Sequence, residues 1–206
     1  MINHVTICVI DDDGAFRDSL RFLLESAGYT VAAYESGNSF LTSQDMEHIG
    51  CILLDVRMTG MSGLELQNEL KQRAIPAPII FLTGHGDVPM AVEAIKRGAF
   101  EFIEKPVNDA ILLGMIERAL QHDADTRRAR ARQLSAAARL ATLSPREYEV
   151  MERVVAGKPN KVIAEDLGIS VKTVEAHRAR MMMKTGADSI AELVQLALDG
   201  LPPQNR

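Results

Sequence analysis

The chain has 206 residues, of which 47% are hydrophobic and 25% are charged, and this composition is typical of a folded protein with a sizeable core. Its longest apolar runs stop at about four or five residues, whereas a membrane-spanning helix needs roughly 20. The N-terminal residues show no basic stretch followed by an apolar segment, so we expect a cytoplasmic protein without a secretory signal or membrane contact. Cys8 and Cys51 lie in apolar runs, which favours buried reduced thiols.

The negative charge of the chain is concentrated in its first half. Residues 1–121 carry 17 acidic and 9 basic side chains, residues 122–141 carry 2 and 5, and residues 142–206 carry 9 of each. This division predicts two domains, of which the first repels nucleic acid.

The first 122 residues alternate short apolar runs with amphipathic stretches. In the first stretch, Asp13 can cap a helix, Leu20 and Leu24 recur at helical spacing, and Gly28 can end it. Strands that alternate with helices predict a doubly wound α/β domain, in which a parallel sheet is covered on both faces. The five predicted strands are residues 7–10, 30–34, 52–56, 79–83 and 101–103.

Residues 123–141 form an Arg/Ala-rich stretch without Gly or Pro. This composition predicts a helical linker whose arginines face solvent, and a disordered tether is the alternative.

From residue 142 onwards, signals for helices follow one another closely and the strand pattern disappears. Ser144-Pro145-Arg146-Glu147 is a capping box with Pro at the first helical position. Two further helices, 160–167 and 171–183, are separated by a short turn that begins at Gly168, which predicts a helix-turn-helix. With a last helix over 189–199, residues 142–206 are predicted to be a small all-helical domain.

Polar residues stand at the ends of four predicted strands. Each residue alone has an ordinary interpretation as a turn, cap or surface residue. Because the carboxyl ends of parallel strands meet at one edge of a sheet, we expect these residues to lie together. They are Asp11, Asp12 and Asp13 after the first strand, Asp55 at the end of the third, Thr83 at the end of the fourth and Lys105 after the fifth.

These residue types favour phosphoryl-transfer chemistry. Crowded carboxylates repel one another and favour a hard divalent cation such as Mg²⁺. A carboxylate beside Mg²⁺ can accept a phosphoryl group, while Thr83 donates a hydrogen bond to it and Lys105 neutralises its charge. Asp55 is the predicted acceptor because it alone ends a central strand between the acidic pair and Thr83.

The whole chain resembles the bacterial two-component response regulators of the FixJ/NarL-like group. The resemblance in the first domain rests on Val9-Ile10-Asp11-Asp12-Asp13, Leu54-Asp55-Val56-Arg57-Met58, Thr83-Gly84-His85-Gly86-Asp87-Val88-Pro89-Met90-Ala91-Val92 and Phe102-Ile103-Glu104-Lys105-Pro106.

This resemblance implies which residues bind a metal ion and which residues move when the protein is phosphorylated. Asp55 would be phosphorylated; Asp12, Asp55 and the carbonyl of Arg57 would bind Mg²⁺, and Asp11 would place a metal-bound water. Phe102 would turn inward as Thr83 moves towards the phosphoryl group. The Lys105-Pro106 peptide would be cis.

One position departs from the family pattern, since Thr59 stands where family members usually have Pro. We expect this change to leave the acidic pocket untouched, so that phosphorylation survives with an altered lifetime of the phosphoryl group.

The second domain contains the segments Leu143-Ser144-Pro145-Arg146-Glu147, Asn160-Lys161, Ile163-Ala164 and Thr173-Val174-Glu175-Ala176-His177-Arg178. With these segments it resembles the LuxR-type DNA-binding domain. The helical spacing of 171–183 places Val171, Val174, Arg178 and Met181 on a mostly buried side, and Lys172, Ala176, Ala179 and Met183 on a side free to meet a DNA groove. The resemblance implies that helix 189–199 dimerises, that His177 braces the helix pair, and that Pro159 and Thr185 replace a small polar residue and a Leu. It places these residues at or near DNA: Lys161, Lys172, Thr173, Glu175, Ala176 and Arg178.

The predicted function is that of a transcription regulator that is phosphorylated by a sensor histidine kinase, forms a homodimer and binds double-stranded promoter DNA. RNA polymerase is a further candidate partner. We expect no enzymatic activity beyond slow loss of the phosphoryl group. A phosphotransfer protein whose helical domain binds RNA or protein is the alternative. A phosphatase of the haloacid-dehalogenase type is disfavoured, because Arg57 stands where that class has its second Asp.

Overall fold

A computed structural model describes residues 5–43, 48–84 and 88–200 of the chain. The chain divides into two compact units, Met1–Thr126 and Arg127–Arg206. Three residues of the Thr83–Val92 motif, 85–87, and the six C-terminal residues lie outside the described part of the chain.

The first unit contains a five-stranded parallel sheet with the strand order β2-β1-β3-β4-β5. This order reverses between β1 and β3, as in a doubly wound fold, and the predicted fold class is confirmed. The strands are β1 (Thr6–Ile10), β2 (Thr30–Tyr34), β3 (Ile49–Asp55), β4 (Ile79–Thr83) and β5 (Glu101–Glu104).

The strand β3 begins three residues earlier than the sequence analysis predicted. Gly50 weakens the strand signal there, because glycine has low β-propensity. In the structure, a Cβ atom at this position would lie 2.6 Å from Leu120 Cδ2 and 2.9 Å from Val5 Cβ. Glycine therefore allows the start of β3 to pack closely against its neighbours.

Nine helices are present in the described residues. Asp13 caps α1 as predicted, since its Oδ1 accepts hydrogen bonds from the backbone N–H groups of Ala15 and Phe16. The helices are α1 (Gly14–Ser26), α2 (Gly37–Leu41), α3 (Gly63–Gln72), α4 (Val88–Lys96), α5 (Asp109–Leu140), α6 (Pro145–Val155), α7 (Asn160–Leu167), α8 (Val171–Thr185) and α9 (Ile190–Gly200).

Both faces of the sheet carry a hydrophobic core. Along β1, Cys8 and Ile10 belong to the core that includes Leu66 of α3, whereas Ile7 and Val9 belong to the core that includes residues of α1 and α5. Burial on both faces explains the continuous apolar runs that predicted a parallel sheet. Cys8 and Cys51 are both buried, as their apolar runs predict.

The second unit is helical and has a core of its own. Ser144 and Glu147 form the predicted capping box at the start of α6, and Gly168 ends α7 in the left-handed conformation (φ 65°) that favours glycine. The end of α5 contributes Ala136 and Leu140 to this core. The other buried members include Val150, Met151, Val154, Ile163, Val174, Met181, Leu193 and Leu196.

Pro159 and Thr185, the two positions that depart from the LuxR-type pattern, lie at helix ends. Pro159 is the N-cap of α7 and makes no side-chain capping bond. Thr185 is buried at the end of α8, where its hydroxyl donates to the carbonyl of Met181 at 2.8 Å. The helix α8 therefore continues two residues beyond its predicted end.

None of the helices in the described residues combines the length and apolar character that a membrane span requires.

Candidate functional site

The strand order brings four of the predicted site residues together at one edge of the sheet. Asp11 follows β1, Asp55 ends β3, Thr83 ends β4 and Lys105 follows β5, and these strands are neighbours in this order. Asp11, Asp55 and Thr83 are buried, with exposed fractions of 0%, 8% and 4%. Burial of polar side chains is costly unless they have partners, and such clusters are typical of functional sites.

Three carboxylates crowd this edge. Asp11, Asp12 and Asp55 each offer one oxygen atom, and these three atoms lie within 4.8 Å of one another. Burial and the charge of Asp11 raise the pKa of Asp55, and the ammonium of Lys105 offsets part of that rise. A cluster of hard anionic oxygens with excess negative charge is a donor set that suits Mg²⁺.

The ammonium group of Lys105 contacts three side chains, those of Asp11, Asp55 and Phe16. Its Nζ donates to Asp11 Oδ2 at 2.7 Å, lies 3.3 Å from Asp55 Oδ2, and stands 4.3 Å from the centre of the Phe16 ring. Its backbone N–H donates to the carbonyl of Thr83, and the Lys105-Pro106 peptide is cis, as the resemblance implies. One ammonium therefore serves two buried carboxylates.

The structure corrects one expectation at this site, because Thr59 contacts the acidic pocket directly. Its backbone N–H donates to Asp12 Oδ2 at 2.8 Å and its hydroxyl donates to the same atom at 2.9 Å. These two bonds, the backbone bond first, lower the pKa of Asp12. Pro, the usual residue here, has no N–H and no hydroxyl and makes neither bond.

Asp13 and Arg57 each contact the carboxylate cluster through the backbone N–H. Asp13 caps α1, and its backbone N–H donates to Asp11 Oδ1 at 3.0 Å. Arg57 follows Asp55 on the next loop, and its backbone N–H lies 3.4 Å from Asp55 Oδ1. The side chain of Arg57 is exposed.

The two predicted switch residues lie on neighbouring strands. The hydroxyl of Thr83 donates to the carbonyl of Gly84 at 3.3 Å. Phe102 lies on β5 with 36% of its surface exposed, which is the outward position of this ring.

A glycine allows α3 to begin directly beneath the predicted phosphoacceptor. A Cβ atom at Gly63 would overlap the carbonyl oxygen of Asp55. The backbone N–H of Gly63 donates to the carbonyl of Val56, which holds the start of α3 close to the end of β3. A larger residue at this position would therefore displace either α3 or the end of β3.

In the second unit, α8 presents an exposed face of mixed character. Lys172, Glu175 and Ala176 are exposed, together with Ala179 and Met183, whereas Val174 and Met181 are buried. This division agrees with the predicted sides of the helix except at Val171, which lies in the first turn and is exposed. Small residues on the exposed face permit close approach of a helix to a DNA groove.

Of the three remaining predicted DNA-contact residues, Arg178 and Thr173 have local partners. Arg178 is half-buried and its Nη1 donates to Asn160 Oδ1 at 3.0 Å, which ties α8 to the start of α7. Thr173 belongs to the cap of α8, where its N–H donates to Ser170 Oγ at 3.1 Å. Lys161 is exposed on α7.

An ion pair between the buried carboxylate of Glu147 and the partly exposed Lys184 connects the start of α6 to the end of α8. Lys184 Nζ donates to Glu147 Oε2 at 2.6 Å, and the backbone N–H of Ser144 donates to the same oxygen at 2.8 Å. These bonds, that of Lys184 first, lower the pKa of Glu147 to about 2. Sequence reasoning found the capping role of Glu147 but missed Lys184, since residues 37 positions apart share no local pattern.

Two family models match the chain. Residues 7–117 match the response regulator receiver domain, and residues 141–197 match the bacterial regulatory proteins of the luxR family.

Relatives that match over nearly the full length support the same assignment. The transcriptional regulatory protein FixJ of Bradyrhizobium diazoefficiens is 48% identical, covering 93% of this chain and 94% of the relative. The transcriptional regulatory protein TdiR of Thauera aromatica is 43% identical, covering 96% and 87%.

Two solved structures match as well. The response regulator StyR has a TM-score of 0.83 and 43% identity, covering 94% of this chain and 98% of that one. Full-length FixJ from B. japonicum has a TM-score of 0.61 and 47% identity, covering 95% and 96%. With a receiver-type sheet followed by a helix-turn-helix of the LuxR type, the chain belongs to the response regulator family.

Proposed function

We propose that this response regulator accepts a phosphoryl group on Asp55 from a sensor histidine kinase and then binds promoter DNA as a homodimer. The observation that carries the proposal is the environment of Asp55, a buried carboxylate at the end of a central strand with the Lys105 ammonium 3.3 Å from its Oδ2. The LuxR-type match favours DNA over RNA or protein as the target of the second unit.

The transfer step uses groups that already surround Asp55. A carboxylate oxygen of Asp55 attacks the phosphorus of a phosphohistidine; the new P–O bond forms as the P–N bond breaks, and the departing nitrogen keeps the electron pair. Lys105 then binds one phosphoryl oxygen, and the Thr83 hydroxyl leaves the carbonyl of Gly84 to donate to another.

The acidic edge is suited to a Mg²⁺ ion during this step. The carboxylates of Asp11, Asp12 and Asp55 fit a hard cation because their oxygens cluster within 4.8 Å, and the carbonyl of Arg57 is the further proposed ligand. Asp12 and Asp55 would bind the ion directly, while Asp11 would hold one of its waters. When bound, Mg²⁺ screens the carboxylates and neutralises charge on the transferred group.

Movement of Thr83 would be coupled to the surface of α4 and β5. As Thr83 moves towards the phosphoryl group, Phe102 turns into the space it leaves. Val92, Ile95 and Phe102 expose apolar surface on α4 and β5, which supports this face as the dimer contact. Phosphorylation would favour the conformation that pairs.

The second unit would read DNA through α8 and its neighbour α7. Exposed Lys161 and Lys172 would contact phosphates, while Ala176, Glu175 and Thr173 face base edges. Arg178 would contact the backbone from its position beside Asn160. Because residues 142–206 carry no net charge, one copy binds DNA weakly and a dimer is required.

We further propose a receiver over 1–122, a helical linker over 123–141 and a DNA-binding domain over 142–206. The linker's end would belong functionally to the last domain, since Ala136 and Leu140 are part of its core. The protein would act in the cytoplasm, where bacterial promoters lie, and RNA polymerase is a candidate partner of the promoter-bound dimer.

The two matched models are a receiver domain and a LuxR-type DNA-binding domain, which is the combination of a regulator and not of a classical enzyme. We therefore propose that the only reaction of the isolated chain is slow hydrolysis of its own Asp55 phosphoryl group.

The test is labelling with a small phosphodonor and Mg²⁺, followed by intact-mass measurement. Wild type should gain one phosphoryl group, and Asp55→Asn should gain none. Asp13→Asn is the matched control, because Asn caps a helix as well as Asp does and labelling should persist. Labelling of Asp55→Asn to the wild-type level would refute the assignment.

A further inference from the structure

The loop after β3 carries a hydrogen-bonded contact to Asp12 that the family pattern does not predict. Thr59 lies four residues after Asp55, and it binds Asp12 Oδ2 through both its N–H (2.8 Å) and its hydroxyl (2.9 Å). Asp12 lies on a different loop, 47 residues earlier in the chain. The contact therefore joins the two loops from which the proposed metal ligands come.

The two bonds restrict how the Asp12 carboxylate can turn. A carboxylate oxygen has two lone-pair sites, and the two donors of Thr59 occupy both sites of Oδ2. The other oxygen, Oδ1, stays available for a cation. Asp12 is exposed, so without these bonds its side chain would sample several rotamers in water.

The bonded position of Asp12 is compatible with metal binding. In this position Asp12 already offers an oxygen within 4.8 Å of oxygens from Asp11 and Asp55. Because both Thr59 bonds end on Oδ2, the other oxygen, Oδ1, can serve as a metal ligand while the Thr59 contact is kept.

We propose that Thr59 is a positioning residue for Mg²⁺ binding, which holds the Asp12 carboxylate with one oxygen directed at the acidic cluster. The inference rests on the proposed Mg²⁺-dependent function of this site. Hydrogen-bonding partners of metal ligands typically change metal affinity by about 10- to 100-fold. For an exposed ligand we expect the lower end of this range.

Calorimetric titration of the full chain with Mg²⁺ tests the proposal, and it suits a protein without tryptophan. Thr59→Val keeps the shape and the N–H but loses the hydroxyl, and it should bind Mg²⁺ about 10-fold more weakly. Thr59→Ser keeps both donors and should restore the wild-type affinity. Thr42→Val is the matched control, because the Thr42 hydroxyl donates only to the α2 carbonyls of Asn38 and Ser39.

Amide hydrogen exchange in Mg²⁺-free protein gives a second readout. The N–H of Thr59 should be protected in wild type and should exchange at least several-fold faster in Asp12→Ala, which removes the acceptor. Equal exchange in both proteins would overturn the proposal, as would a Thr59→Val affinity equal to or tighter than wild type. Failure of wild type to bind Mg²⁺ would instead overturn the metal site itself, and this inference with it.

Discussion

Each unit of the chain has a buried carboxylate beside a lysine, and the two clusters have opposite electrostatics. At the sheet edge, Asp11 and Asp55 share the single ammonium of Lys105, and the pKa of Asp55 is raised. In the helical unit, the carboxylate of Glu147 accepts hydrogen bonds from the Lys184 ammonium and from the backbone N–H of Ser144, and these bonds lower its pKa to about 2.

The difference separates a reactive site from a structural one. Excess negative charge at the sheet edge is a cost that a bound cation or protonation relieves, so this cluster suits Mg²⁺, which would also offset the negative charge that a phosphoryl group adds. The Glu147 carboxylate pairs with Lys184 and also accepts the backbone N–H of Ser144, so it stabilises one arrangement of α6 and α8.

The largest expected effect is a loss of stability when the ion pair between Glu147 and Lys184 is broken. Glu147→Gln should lower the free energy of unfolding of the second unit by about 2 kcal/mol, because the buried carboxylate loses its ion pair with Lys184 and the charge-assisted capping bond becomes a neutral one. Urea unfolding, followed through amide signals of this unit, measures the change. Lys158→Met is the control: it removes a partly exposed ion pair with Asp166 and should change stability little. Equal losses in both variants would show that the Glu147 pair has no special role.

A smaller effect of opposite sign is expected at the sheet edge. Asp55→Asn should raise the free energy of unfolding of the Mg²⁺-free receiver by about 1 kcal/mol, because it removes excess buried charge at the expense of function. The same urea experiment, followed through amides of the sheet, provides the measurement. Destabilisation by Asp55→Asn would mean that the negative charge of the cluster is already balanced.

The pH dependence of the two clusters should also differ in sign. The folded pKa of Glu147 is depressed, so its contribution to stability is complete above 4.5 and is lost as the pH falls from 4.5 towards about 2. The folded pKa of Asp55 is raised above 3.8, so its ionisation costs stability at neutral pH, and that cost disappears as the pH falls through the folded pKa.

Unfolding of wild type, Glu147→Gln and Asp55→Asn at several pH values tests these signs. Acidification should reduce both differences from wild type, with Glu147→Gln the less stable and Asp55→Asn the more stable protein at neutral pH. Differences of the same sign would contradict the comparison.

The sequence predicted the sheet edge because the placement of its residues follows from chain order. Asp11, Asp55, Thr83 and Lys105 each end or follow a strand, and parallel strands bring such residues together whatever the side-chain details. The helix caps at Asp13 and Ser144 were predictable for a similar reason, since their capping bonds join residues only two or three positions apart.

Contacts between distant loops were not predictable in this way. The bonds of Thr59 to Asp12 depend on the path of the loop after β3, and the ring of Phe16 under Lys105 depends on a side-chain rotamer. The sequence did mark position 59, since Thr59 stands where the family usually has Pro, but the change was expected to leave the acidic pocket untouched.

The most direct test of the central claim, that phosphorylation of Asp55 controls DNA binding, is a titration at fixed salt. DNA with two half-sites, selected from random sequences by the phosphorylated protein, is titrated with phosphorylated and unphosphorylated wild type, and a single half-site serves as the control. Phosphorylation should tighten binding and increase dimer formation only on the two-site DNA, and Thr83→Ala and Lys105→Ala should lose most of this gain. Equal affinity for the two-site DNA with and without the phosphoryl group would contradict the account.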